Sequence, residues 1–239
     1  NLDPAYLNQY YDPDGQYSIP YAPGSPVLVY NPELVEGEIT SFADLFDEQF
    51  VDSVCLLDSA RVMIGYVNMM LGHDFNTTDD EELAEAAAKL QEIKPNVLAL
   101  DSNLAYQYLL SGEAKAAFLF TSQAVVCEQA MPGAFEYVFP SEGIGFGIDA
   151  MVIPASAENP EGANAFMNYL MRPEVAATIQ PWTMYLNVNA AAADLLSEGS
   201  LDYAALNIPE DLFVTKQFAE DLGDYEGVYQ DIWSEFKLS

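Results

Sequence analysis

The sequence predicts an α/β fold. Short apolar segments typical of buried strands alternate with longer stretches whose apolar residues recur at helical spacing. Apolar residues make up 51% of the 239 residues and charged residues 19%, which is the composition of a globular chain and not of a disordered one. This length is enough for one large domain or for two lobes with their own cores.

The predicted strands are short apolar runs, typical of strands buried on both faces of a parallel sheet. Pro154 ends the last of them, because a proline cannot donate to a sheet ladder. In open α/β sheets the ligand crevice lies at the carboxyl ends of such strands, which draws attention to Asp58 and Ser59 after the second run. In chain order the predicted strands are 25–30, 51–57, 98–100, 116–120, 135–139 and 148–153.

Capping residues and apolar periodicity locate the helices. Ser41 and Thr78 each begin a capping box, in which a hydroxyl and an acid three positions later satisfy the first turn. Asn159 begins a helix whose apolar face includes Phe166 and Met167. Helices are predicted from 41, over 62–71, from 78, over 106–111 and 121–127, from 159 and 173, and over 190–196 and 225–237, with a loop over 201–211.

The net charge is strongly negative, since 7 basic residues stand against 38 acidic ones and give −31. Nucleic acid is thereby excluded as a partner, because basic patches supply the affinity for it. The field of such a chain attracts cations and raises their encounter rate. Acidity also simply keeps a secreted protein soluble, so the charge by itself leaves the cationic ligand open.

The reactive side chains predict neither a cofactor nor a metal site. Cys55 lies in an apolar strand and Cys127 on a predicted helix, so two buried free thiols are expected and not a disulfide. His73 is expected in a surface loop, and as the single histidine it excludes a His-clustered metal site. GxSxG, HExxH and P-loop patterns are absent, so we predict no enzymatic activity. No apolar run approaches the roughly 18 residues of a membrane span.

Asp149 is the one acid inside the apolar run 148–153. A buried carboxylate without a partner is unfavourable, so it is normally matched by a cation or by hydrogen-bond donors. Two interpretations stay open. Asp149 is either bonded to backbone amides or an arginine of the protein itself, or it faces a cleft that receives a cationic ligand.

Several short segments resemble, in the same order, the spermidine/putrescine-binding family of bacterial extracytoplasmic solute-binding proteins, which serve ABC importers. They are Asn1-Leu2-Asp3-Pro4, Tyr17-Ser18-Ile19-Pro20-Tyr21, Ser41-Phe42-Ala43-Asp44-Leu45, Asn76-Thr77-Thr78-Asp79, Lys94-Pro95-Asn96-Val97, the stretch 140–177, and Tyr185 with Asn189. The resemblance spans nearly the whole chain. It implies an α/β fold of the periplasmic-binding-protein type II kind, with two lobes and a hinge.

The resemblance also implies how the lobes divide the sequence. Residues 1–27 and 148–193 are expected in lobe 1, and residues 28–147 in lobe 2, to which 194–239 add C-terminal helices. The family's opening β-α-β unit has no counterpart in this sequence, so lobe 1 is expected to be incomplete. An incomplete lobe exposes apolar surface, and a homo-oligomer that completes it is one expectation.

A set of ligand contacts follows from the resemblance, residue by residue. Asp149 corresponds to an acid that holds a ligand amine, Tyr185 to an aromatic of the same site and Ser102 to a polar contact. Phe120 stands where a tryptophan is usual. The full set of candidate ligand-binding residues is Asp149, Tyr185, Ser102, Phe120, Ser59 and Asp58.

Other positions depart from the family's pattern. Ser59 and Val62 stand where the family has an Asp and a Glu, and Asp58 lies one residue before the first of these. Gly147 replaces a tryptophan, and Ala219 replaces a glutamine. These departures indicate that the chain binds a different amine or binds amines more weakly, unless the carboxylate of Asp58 or Glu142 takes the place of the missing acids.

The function implied is that of an extracytoplasmic solute-binding protein. It would deliver a polyamine or another small organic cation to an ABC transporter permease, with closure of the two lobes on the ligand. Because the chain begins at Asn1 without a signal peptide, we expect a mature or excised segment of a periplasmic or cell-surface protein that is tethered to the membrane. The alternative is a docking or interaction domain of a transporter polypeptide that binds no ligand by itself.

Overall fold

The computed structural model describes residues 1–197, 199 and 201–238. Contacts divide the chain into two compact units. The first unit comprises Asn1–Gly24 and Gly147–Asp202, and the second comprises Ser25–Phe146 and Tyr203–Ser239. The predicted lobe boundaries after residues 27, 147 and 193 stay a prediction.

Strands and helices alternate through most of the described chain, as an α/β fold requires. The strands are β1 (Ser18–Gly24), β2 (Pro26–Tyr30), β3 (Val54–Leu56), β4 (Val97–Leu100), β5 (Ala116–Phe120), β6 (Glu136–Val138), β7 (Gly145–Val152) and β8 (Gln217–Phe218). The α-helices are α1 (Ala60–Leu71), α2 (Asp80–Glu92), α3 (Ala105–Ser111), α4 (Thr121–Ala130), α5 (Pro160–Leu170), α6 (Pro173–Thr183), α7 (Glu210–Val214) and α8 (Tyr225–Leu238).

The second unit is built on a five-stranded sheet of order β4-β3-β5-β2-β6. Strand β3 pairs parallel with both β4 and β5, whereas β2 runs antiparallel to β5 and β6. Every residue of β2 and β3 is buried, as the apolar runs predict. Aromatic rings of Phe42, Tyr66 and Phe118 pack together in the core, with Tyr66 and Phe118 4.6 Å apart between ring centroids.

Helix α1 packs closely against the loop that follows it. A Cβ atom on Gly65 would lie 2.3 Å from Cε2 of the buried Phe75 ring, so no side chain fits at this position. The hydroxyl oxygen of Tyr66 accepts a hydrogen bond of 2.9 Å from the backbone N–H of Gly145. This bond fixes the start of β7 against the core of the second unit.

The first unit is smaller and has a thin core. Strand β1 pairs antiparallel with β7, and Ala22 stands opposite Asp149. Helices α5 and α6 follow, and Asn189 donates from Nδ2 to the carbonyl of Met171 at 2.9 Å. Among the described residues of this unit, the buried apolar side chains are Tyr6, Pro20, Ala22, Pro23, Met167, Met171, Val188 and Ala192.

Several predicted details are wrong. The N-cap of α2 is Asp79 and not Thr78, because Asp79 Oδ1 accepts from the backbone N–H groups of Glu81 and Glu82. Phe166 is 60% exposed, so the apolar face of α5 contributes mainly Met167 to the core. The predicted loop over 201–211 contains a short 3₁₀ helix, Ala204–Leu206, and the start of α7.

Other details are confirmed. Ser41 caps the 3₁₀ helix Phe42–Phe46 in a full capping box with Asp44. Cys55 and Cys127 are buried free thiols, and burial raises the pKa of each to about 12, which leaves both unreactive at neutral pH. Within the described residues, no helix combines the length and the apolar character that a membrane span requires.

Candidate functional site

Asp149 lies in the first unit, on the exposed side of β7. Gly147 and Asp149 are exposed on β7 and Ile148 between them is half-buried, which means that the expected burial of Asp149 is wrong. No hydrogen bond or ion pair to its carboxylate occurs among residues 1–197, 199 and 201–238. Of the two interpretations of this acid, the one in which the protein itself bonds the carboxylate therefore has no support in the geometry.

Tyr185 follows α6 in the same unit. Met184 takes the left-handed conformation at the helix end, with φ of 56°, and turns the chain back. The carbonyl of Tyr185 accepts a bond of 2.5 Å from Gln180 Nε2, and the next residue, Leu186, donates from its N–H to Pro23 at 3.0 Å. Since Pro23 pairs with Ile148, strand β1 joins the segment of Tyr185 to the strand of Asp149.

Ser59, Ser102 and Phe120 lie in the second unit, where three parallel strands end. We call this region the carboxyl edge and define it as Asp58–Ser59 after β3, Asp101–Ser102 after β4, and Phe120–Gln123 at the end of β5. Backbone and side-chain bonds hold its loops together. The N–H of Asp101 donates to Leu56 at 2.9 Å, and Gln123 Nε2 donates to the carbonyl of Ser102 at 2.6 Å.

Two helices begin at the carboxyl edge. Ser59 is the N-cap of α1, and its hydroxyl oxygen accepts a long bond of 3.4 Å from the N–H of Val62. Helix α4 begins directly after Phe120, and among the described residues no side chain caps its first turn. The N–H of Thr121 at the start of α4 donates to the carbonyl of Ser25 at 3.0 Å. The helix dipole gives both starts a partial positive charge.

Asp58 points toward α8. Its Oδ1 accepts a bond of 2.7 Å from Trp233 Nε1 and one of 3.1 Å from Lys237 Nζ. The Trp233 N–H first, and Lys237 after it, hold the pKa of this carboxyl below its ordinary value. The carboxylate of Asp58 is thus already bonded to Trp233 and neutralised by Lys237. Its predicted contact with a ligand stays a prediction.

Glu142 is also engaged within the protein. Its carboxylate accepts from the Ser41 hydroxyl at 2.5 Å and from the N–H groups of Phe42 and Ala43, each at 3.1 Å. It therefore accepts from the free N–H groups in the first turn of the 3₁₀ helix, although it lies about a hundred residues away in the sequence. An acid used in this way has little capacity left for a ligand amine.

Sequence reasoning missed two polar atoms of the carboxyl edge. Oγ1 of Thr121 and Oε1 of Gln123 are buried and have no hydrogen-bond partner in the described part of the chain. Thr121 is 0% exposed as a whole. The sequence places a threonine and a glutamine in the first turn after an apolar strand, which predicts a helix start but does not show that their oxygens are buried and unpaired.

His73, the single histidine of the sequence, lies beside Glu82 and Glu85 of α2. His73 Nε2 lies 3.0 Å from Glu85 Oε2, and its side chain is 18% exposed, so it is more enclosed than a surface loop residue. Among the described residues, no three His, Cys, Asp or Glu side chains are grouped as a metal site would require.

Comparisons with known proteins agree with the architecture. The family described as bacterial extracellular solute-binding protein matches residues 1–207. A spermidine/putrescine-binding periplasmic protein of Salmonella typhimurium is 34% identical over 239 residues, which cover 99% of this chain and 68% of the relative. The putrescine-binding periplasmic protein SpuD of Pseudomonas aeruginosa is 29% identical, over 83% of this chain and 58% of its own length.

A solved structure shows the same fold. The spermidine/putrescine ABC transporter substrate-binding protein PotD of Streptococcus pneumoniae has a TM-score of 0.86 and 28% identity, over 100% of this chain and 74% of the other. The predicted type II periplasmic-binding-protein fold is thereby confirmed. The chain belongs to the bacterial extracellular solute-binding protein family, and like that family it is a binding protein and not an enzyme.

Proposed function

We propose that the chain is an extracytoplasmic solute-binding protein that binds a polyamine or a related small organic cation for an ABC transporter. The observation that carries the proposal is the carboxylate of Asp149, which is exposed and has no partner in the described part of the protein. A carboxylate in this state accepts a charge-assisted hydrogen bond from an ammonium group without first breaking an internal one.

The other groups of the proposed site suit an alkylamine. The ring of Tyr185 offers a face for a cationic methylene chain, and Phe120 offers a second one. Ser59 and Ser102 supply polar contacts at the carboxyl edge. The charge of −31 adds a field that favours the encounter with any cation over that with an anion.

Affinity is expected to be lower than that of a site with three acids. Each charge-assisted hydrogen bond contributes about 1.5–3 kcal/mol, so the absence of acids at Ser59 and Val62 weakens binding of a diamine by about two to four decades. Asp58 and Glu142 do not restore this loss in the proposed site, because both carboxylates are bonded internally.

Partners and assembly complete the proposal. A permease receives the ligand, the two lobes close on it, and a membrane tether holds the protein outside the cytoplasm. Self-association is supported by the apolar side chains that the first unit exposes, among them Trp182 at 82% and Tyr17 at 78%. Light scattering of the purified chain tests this part, and a strictly monomeric chain would contradict it.

Calorimetric titration tests the function. The 239-residue chain is titrated with putrescine, spermidine and spermine at low salt, with succinate as an anionic control of similar length. We expect measurable binding of at least one amine and none of succinate. The absence of binding by every amine would contradict the proposal and favour a docking domain that has no ligand of its own.

A further inference from the structure

The peptide group between Tyr185 and Leu186 is held at both of its polar ends. Its carbonyl oxygen, which belongs to Tyr185, accepts a hydrogen bond of 2.5 Å from Nε2 of Gln180. Its N–H, which belongs to Leu186, donates to the carbonyl of Pro23 at 3.0 Å. Because a peptide group is planar, these two bonds fix its orientation and, with it, the direction in which the chain leaves Tyr185.

The bond to Pro23 connects this peptide group to the strand of Asp149. Pro23 lies in β1 and pairs with Ile148, the neighbour of Asp149 in β7. The bond from Gln180 connects the same peptide group to helix α6. The two candidate ligand contacts of the first unit, Asp149 and Tyr185, are thus joined through one strand, and Gln180 holds the helix side of this arrangement.

The last turn of α6 depends on Gln180. Pro181 lies inside the helix and has no N–H, so this turn lacks one of its hydrogen bonds. Met184 leaves the helix in the left-handed conformation, with φ of 56°, which residues other than glycine seldom adopt. The carbonyl of Gln180 accepts from the N–H of Met184 at 3.2 Å and from the Thr183 hydroxyl at 3.1 Å. Backbone and side chain of Gln180 therefore both hold the turn that leads to Tyr185.

Packing alone does not explain a glutamine at this position. Gln180 is the one buried residue of α6, with 6% of its surface exposed. An apolar side chain of similar length would fill the same space without the cost of removing an amide from water. The property that glutamine adds is the N–H group that it donates to Tyr185.

We propose that Gln180 is a positioning residue for ligand binding. Its side-chain amide holds the peptide group between Tyr185 and Leu186 and thereby sets the place of the Tyr185 ring relative to β1 and β7. Gln180 itself does not touch the ligand. The inference rests on the proposed function, in which Asp149 and Tyr185 of the first unit contact the amine.

Gln180→Met tests the inference, because methionine has a similar length and adapts to the same space but cannot donate this hydrogen bond. The probe is whichever of putrescine, spermidine and spermine the wild-type chain binds most tightly. Its affinity should fall about three- to tenfold, because the ring is no longer pre-organised for the ligand. Nuclear magnetic resonance titration measures such weak binding.

Thr178→Val is the matched control on the same helix. It removes a hydroxyl that donates to the carbonyl of Glu174, within α6 itself. The affinity for the same amine should stay unchanged in this variant. A loss of affinity as large as that of Gln180→Met would assign the effect to the stability of α6 and overturn the inference.

Hydrogen exchange without ligand tests the local contact. The amide of Leu186 should exchange at least about threefold faster in Gln180→Met than in the wild type, because its peptide group is then held at one end only. The amide of Met171, which donates to the carbonyl of Met167 in the same unit, should keep its rate. An unchanged rate at Leu186 would overturn the inference.

A double-mutant cycle separates positioning from a general structural role. Tyr185→Ala removes the ring that Gln180 positions, so Gln180→Met should weaken binding by at most about twofold in this background. The same fold-loss with and without the Tyr185 ring would overturn the inference and leave the proposed function standing. Failure of the wild-type chain to bind any of the three amines would overturn both.

Discussion

Trp233 Nε1 donates a 2.7 Å hydrogen bond to Asp58 Oδ1, although the two residues are 175 positions apart in the sequence. The bond joins α8 to the turn that begins α1. Asp58 precedes Ser59, where the family that the sequence resembles has an acid, and this bond engages the Asp58 carboxylate within the protein. Lys237, one turn later on α8, adds a second donor at 3.1 Å.

The bond between Asp58 and Trp233 makes the stability of the fold depend on pH. The folded-state pKa of Asp58 lies below its ordinary value, so its ionised form stabilises the fold. Asp58→Asn is expected to lower the free energy of unfolding by about 1 kcal/mol at pH 7, since the carboxylate is partly exposed.

The contribution of Asp58 is fully present above its unfolded pKa of about 4 and is lost as the pH falls through the lower, folded pKa. Urea titrations of both proteins between pH 7 and pH 2 should therefore converge at the acid end. If the difference in unfolding free energy between the two proteins stays constant from pH 7 to pH 2, the destabilisation by Asp58→Asn has a cause other than loss of the charge.

Gly65 gives a prediction about packing. A methyl group at this position would lie 2.3 Å from the ring of Phe75, and Phe75 is buried, so Gly65→Ala is expected to destabilise the chain by about 1–3 kcal/mol. Gly227→Ala in α8 is the matched control. No atom lies within 4 Å of its new Cβ, and helix propensity should stabilise this variant by up to about 1 kcal/mol. The urea midpoint is expected to fall in Gly65→Ala and to rise in Gly227→Ala. A lower midpoint in both variants would contradict this explanation of Gly65.

Salt is expected to stabilise the protein. Among the described residues, three ion pairs join a Lys or Arg to an acid, whereas the sequence holds 38 acids. Most of the negative charge is therefore not offset locally, and salt screens the resulting repulsion. The urea midpoint of unfolding should rise between 10 mM and 500 mM sodium chloride, and the slope of the unfolding free energy against urea concentration should stay the same. A lower midpoint at high salt would mean that screening of the ion pairs outweighs screening of the repulsion.

Much of the fold could be predicted from local sequence. The buried strands β2, β3 and β5 and the end of α3 at Gly112 follow from apolar runs and capping residues. Strand β1 was not predicted, since Pro20 and Pro23 interrupt it. Prolines are tolerated there because β1 lies at the edge of its sheet.

The candidate site was less predictable. That Ser59 and Ser102 follow parallel strands and that Phe120 ends one could be inferred from the alternation of strands and helices. The exposure of Asp149 could not, because Ile148 and Met151 beside it are equally apolar in a buried and in a half-exposed strand. The partners of Asp58 and Glu142 are distant in sequence, and no local pattern indicates them.

Asp149 itself supplies a prediction that separates local from general charge. Asp149→Asn is expected to weaken amine binding about 10- to 100-fold, the effect of one charge-assisted hydrogen bond. Stability should change little, because the carboxylate is exposed. Asp194→Asn removes the same charge from an exposed position of the same unit and should leave the affinity unchanged. Equal losses in both variants would point to the overall field and not to a contact.

A crystal structure of the chain with its tightest-binding amine tests the central claim most directly. The account predicts an ammonium nitrogen about 3 Å from a carboxylate oxygen of Asp149. Density for the amine at another place, with Asp149 in contact only with solvent, would contradict it.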